Sequence, residues 1–99
     1  MEQLRIDRYV IDTLMPDLVG HDKRPSALVV YLFLWARTAA PRGRTATASL
    51  RDIAEGTGLS KRGVQQALQI LERRRLISRS KAEPTSVAAY EVLRPWRKR

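Results

Sequence analysis

Six side chains between positions 61 and 73 have the types and spacing to act together: Lys61, Arg62, Gln65, Gln66, Gln69 and Arg73. At helical pitch they fall on one side, because Val64, Ala67, Leu68 and Leu71 take the other. Cations and amides at this density neutralise anions and make paired hydrogen bonds. Arginine or lysine can reach two acceptors on a guanine edge, and glutamine can pair with the edge of an adenine. Helix geometry cannot bring every one of them into one groove, so some are expected to face solvent.

The elements that would position these groups are legible nearby. Ser60 is placed to cap the helix that carries them. Upstream, Ser49 followed by Asp52 is an acidic variant of the capping box, and Leu50, Ile53 and Ala54 give a short apolar stripe. Gly56 and Gly58 are expected to break that helix, with Gly58 suited to a positive φ. Helix, glycine turn and second helix with a polar outer face is the layout that reads duplex DNA.

Other chemistries find little support. The chain has no cysteine and one histidine, so thiolate metal sites, disulfides and a cysteine nucleophile are excluded. His21 stands beside Asp22 without a serine-based arrangement, and no glycine-rich phosphate loop is present. We expect a non-enzyme with no metal and no cofactor. The longest apolar run, residues 27–36, is half the ~20 residues that span a bilayer. Without cysteines or a secretory pattern, a cytoplasmic, nucleoid-associated protein is expected.

Charge narrows the partner. The formal net charge is +9, unevenly spread: residues 1–22 hold two arginines against five acids, whereas residues 23–99 hold 17 basic and five acidic side chains. Such a surplus attracts polyanions, nucleic acid first.

Taken in order, the chain divides into an acidic and apolar extension (1–25), a central domain (26–93) and a basic tail (94–99). Asp12 is placed to cap a short helix over 13–19, with Pro16 in its first turn. Ile6, Val10, Leu14 and Leu18 recur at four-residue spacing. Most are expected to fold back on the same core and some to meet a second copy, although Pro16 argues against one continuous helix. Residues 20–25 read as a polar loop. Ser26 is expected to cap a helix over 26–38 that is apolar on nearly every side and therefore buried; Tyr31, Phe33 and Trp35 within it are core, not a ligand box. A short strand over 44–48 follows. Beyond the paired helices, residues 76–80 and 87–93 form two β-prone runs around a turn containing Pro84. Trp96 is expected to be free.

These residues together resemble a bacterial winged helix-turn-helix domain of the GntR-like and MarR-like regulators and of some plasmid replication initiators. The likeness spans residues 26–93 and rests on Leu50, Ile53, Ala54, Gly58-Leu59-Ser60, Val64, Ala67, Leu68, Leu71 and Leu76-Ile77. It implies a mainly α fold with a small β-hairpin: a three-helix core plus a wing. It also implies base contacts from Lys61, Arg62 and Gln65, with Gln66 and Gln69 facing partly the same way. Phosphate contacts are expected from Arg44, Ser49, Arg51, Ser60, Arg73, Arg79 and Lys81. Two positions depart from the family pattern. Relatives often place glycine where this chain has Arg75, so Arg75 would carry a left-handed conformation or the helix would end differently. Gly63 weakens the first turn of the reading helix, either to let DNA approach or because a helix end tolerates it.

The expected function is sequence-specific binding of double-stranded DNA in transcriptional regulation, with a homodimer possible. The alternatives are plasmid replication or partition, and a winged-helix adaptor for an acidic protein partner, which would carry apolar anchors on the reading helix. The expected core is Leu28, Leu32, Trp35, Ile53, Val64, Leu68, Leu71, Ile77 and Tyr90.

Overall fold

A computed structural model describes residues 2–38, 45–81, 83 and 86–97. Three α-helices and three strands follow a helical N-terminal segment: α1 (Pro25–Arg37), β1 (Thr45–Thr47), α2 (Leu50–Thr57), α3 (Lys61–Arg73), β2 (Ile77–Ser80) and β3 (Ala89–Val92). α1 packs against α2 and α3, and the sheet closes the remaining side in the order β1-β3-β2, antiparallel throughout. The fold is a winged helix-turn-helix, mostly helical. The strand expected ahead of Ser49 is not a mere connector. Ala46 pairs with Tyr90 on one edge of β3, while Arg79 pairs with Tyr90 on the other.

The core is a single cluster in which Val30, Tyr31, Leu34, Ile53, Val64, Ala67 and Leu71 are fully buried. Of the nine expected core residues, Leu32 is the exception: it is half-buried at the margin, because α1 turns Tyr31, Leu34 and Trp35 inward instead. α1 starts one residue earlier than expected. Pro25 takes its first position, where a missing N–H costs nothing, so Ser26 is not its cap.

The largest departure lies before α1. Residues 8–21 form one helical run through Pro16, in two widened stretches, Val10–Leu14 and Pro16–His21. The Met15 N–H donates to the Val10 carbonyl and the Asp22 N–H to the Asp17 carbonyl at 2.8 Å, five residues back instead of four. Pro16 takes the first position of the second stretch, where its missing N–H costs little. Asp12 is therefore not a cap; it lies inside the run and pairs with Arg8 at 3.2 Å. The expected loop over 20–25 shrinks accordingly to Asp22–Arg24. Val10, Leu14 and Leu18 are buried in the chain's own core and Ile6 packs against it.

The two ends of the described chain meet over Trp35. Its indole N–H donates to the Arg5 carbonyl at 2.7 Å, and the Arg94 guanidinium lies 4.0 Å from its ring. Arg97 binds the Asp7 carboxylate through two hydrogen bonds of 2.7 Å. Trp96 is not free: it stacks on Tyr9 at 4.6 Å and donates to Asp7 at 2.9 Å.

Candidate nucleic-acid interface

The α2–turn–α3 unit forms as local chemistry dictates. The Ser49 hydroxyl accepts from the Asp52 N–H, and the Asp52 carboxylate accepts from the Ser49 N–H, both at 3.0 Å. The Ser49 backbone N–H first, and its hydroxyl second, hold the Asp52 carboxyl below its ordinary range. Gly58 ends α2 at φ 83°. Gly56, expected to break the helix, lies inside it. A Cβ there would collide with the Phe33 ring, so glycine is what lets α2 lie against α1. Ser60 caps α3 by accepting the Gly63 N–H at 3.0 Å. A Cβ on Gly63 would stand 3.3 Å from that same hydroxyl, so the cap itself favours the small residue.

Val64, Ala67, Leu68 and Leu71 anchor α3, which leaves Lys61, Arg62, Gln65, Gln69 and Arg73 exposed and Gln66 half-buried. They do not share one surface. Lys61 opens onto a groove between α2 and the β2–β3 wing, with Ser49, Arg51, Arg79 and Lys81. Gln65 and Gln69 line its continuation, with Glu72 and Arg79. Gln66 and Arg73 instead border a depression on the opposite flank, with Arg24 and Arg74. Gln69 reaches both. Arg44 and Pro84 lie outside the described residues.

The cations differ in how they are held. Arg51 pairs with Glu55 at 3.0 Å and Arg79 with Glu72 at 3.6 Å, all at least partly exposed. A phosphate would replace those carboxylates at little cost, because exposed pairs contribute under about 1 kcal/mol. Arg79 also lies beside Tyr90, whose phenol burial pushes up against the pull of that cation. Lys61, Arg62, Arg73 and Lys81 form no ion pair among the described residues. Ser49 and Ser60 spend a lone pair on their caps, yet each keeps a hydroxyl proton to donate.

The sequence did not disclose Arg74. It ends α3 and binds Asp22 through two hydrogen bonds of 2.6 and 2.8 Å, fastening the N-terminal run to α3. His21 lies 3.0 Å from the same carboxylate and faces solvent. The one available signal was an isolated acid at 22 and a run of arginines at 73–75, 52 positions away.

Compared with known families, residues 21–77 match the one described as "Helix-turn-helix domain", more than half of the chain. The chain belongs to this helix-turn-helix family. The matched span takes in α1, β1, α2 and α3 and stops at the first residue of β2. Membership supports DNA as the partner, and domains of this family typically carry no catalysis. No curated protein and no solved structure matches the chain. No helix among the described residues is long and apolar enough to cross a membrane.

Proposed function

We propose that this helix-turn-helix protein binds double-stranded DNA sequence-specifically and regulates transcription in the cytoplasm, at the nucleoid. Residues 26–93 are the binding unit, and residues 1–25 brace it. α3 enters the major groove, where Lys61, Arg62 and Gln65 read base edges, with Gln66 and Gln69 at its margins. Ser49, Arg51, Ser60, Arg73, Arg79 and Lys81 hold phosphates.

The observation that carries this reading is the outer face of α3. Five exposed cationic or amide side chains and the half-buried Gln66 spread over it and its two flanks, and the exposed large apolar residues (Leu4, Tyr9, Ile11, Val19, Val29, Val87) all lie off α3. A protein-binding helix would carry an apolar anchor there. Ile11 and Val19 are left outside the core by the N-terminal run, and they are where a second copy would dock on a two-fold site.

The test separates the two kinds of contact. Duplexes are first selected from genomic fragments, then titrated against a random duplex. Arg51→Ala and Arg79→Ala are expected to weaken both alike. Arg62→Ala or Gln65→Ala should remove the preference for the selected site, at about 1–3 kcal/mol per lost base contact. Equal losses on both duplexes for both pairs of variants would defeat the assignment.

A further inference from the structure

α3 has two flanks on either side of its outward ridge. On the wing side stand Arg79 and Lys81, beyond Lys61 and Gln65. Gln66 and Arg73 lie roughly 100° farther round the helix. There they meet Arg24, from the turn before α1, across a depression floored by the Asp22–Arg74 pair. Arg24 and Arg73 are exposed, and neither is ion-paired among the described residues. The nearby acids do not cancel them. Both Asp22 oxygens are engaged by Arg74, and Asp17 stands 3.9 Å from the same guanidinium. This flank sets three cations, Arg24, Arg73 and Arg74, against two carboxylates.

A major groove is about 12 Å wide and bounded by two phosphate strands, and a helix with its side chains is about 10–12 Å across. A helix seated there has a strand against each flank, and the wing serves only one of them. We propose that Arg24 and Arg73 hold the sugar–phosphate strand on the side of α3 away from the wing, so that the duplex is clamped between the wing and the turn preceding α1. This rests on the DNA-reading role proposed for α3. It extends the contact surface to the last residues of the N-terminal extension, just beyond the acidic stretch 1–22.

The full chain is titrated with a random-sequence duplex of about 30 base pairs across a salt series. Arg24→Ala and Arg73→Ala should each lower affinity roughly three- to tenfold near 0.1 M salt and reduce the salt slope by about one. Arg24→Lys should recover most of the loss. The double variant Arg24→Ala/Arg79→Ala should lose about two units of slope, because the flanks meet different phosphates. Arg5→Ala removes the same charge beside Trp35, in a separate depression, and should change far less. Because Arg73 is an exposed helix residue, its variant gives an answer even if Arg24→Ala disturbs the turn. Tight, salt-sensitive binding by the parent with both variants behaving like Arg5→Ala overturns the far-side clamp and leaves the reading helix intact. A parent that binds no duplex overturns both.

Discussion

Arg75 sits at φ 58°, where α3 turns into β2. Its N–H donates to the Glu72 carbonyl at 3.0 Å and the Leu76 N–H to the Leu71 carbonyl at 2.9 Å, with Leu71 and Leu76 both buried. That is a Schellman ending with arginine at the position glycine usually takes. A left-handed non-glycine residue costs about 1–2 kcal/mol. Arg75→Gly should therefore stabilise by about 0.5–1 kcal/mol after the greater freedom of the unfolded glycine is counted. A calorimetric melting temperature that does not rise would show that the Arg75 side chain compensates. Asp7 and Asp22 carry a different consequence. Hydrogen bonds from Arg97 and from Arg74, respectively, hold their carboxyls at about 2 instead of 3.8. Values lower in the folded chain mean that the unfolded chain binds the extra protons. The stabilisation is therefore complete above about pH 4 and lost as pH falls towards 2. Asp22→Asn should lower the melting temperature at pH 7 and flatten its fall across that window; an unchanged acid profile would refute the role of the Arg74 pair. The Arg75 departure was legible because a helix ending is a local pattern. The Asp22–Arg74 and Asp7–Arg97 pairs join residues 52 and 90 apart, and no periodicity reports such contacts.

At the scale of elements, the same division holds. The caps at Ser49 and Ser60, the Gly58 turn and the apolar stripe of α3 depend on neighbours within four residues, and the sequence shows them. β1 finds its partner 42 to 46 positions later, from Thr47↔Ala89 to Thr45↔Glu91, so its place in a three-stranded sheet is invisible locally. Pro16 was misread because a proline inside an apolar run was expected to stop the helix, whereas it opens a second, widened stretch of the same run. Gly56 was misread as a breaker because its reason lies on another helix, in the Phe33 ring. Gly56→Ala should thus destabilise by about 1 kcal/mol, against the opposite expectation from helix propensity. In a Phe33→Ala background the same change should be neutral or stabilising. Chemical denaturation of the four chains settles it; a stabilising Gly56→Ala in the parent would mean the ring yields freely.

For the whole molecule, the N-terminal run decides whether the domain stands. Val10 and Leu18 are fully buried and Leu14 nearly so, and losing three buried aliphatic side chains removes several kcal/mol from a small domain. A chain beginning at Gly20 is expected to be unfolded by circular dichroism. Sedimentation of the full chain at tens of micromolar reports whether Ile11 and Val19 also join two copies. A folded truncation would make the run dispensable to the core.

The contacts over Trp35 bring residues 5–9 and 93–97 together, so the chain is held as a ring of about ninety residues closed without a covalent bond. Closing so long a ring costs little more entropy than closing a short one, because the penalty grows only with the logarithm of length. The cost is met at one place, by an ion pair, an indole N–H and a stack of rings. A flexible peptide bridging the two ends would therefore constrain almost nothing the fold does not already constrain. With the ends joined, the chain could be opened in the loop between β2 and β3 and still present α3 unchanged.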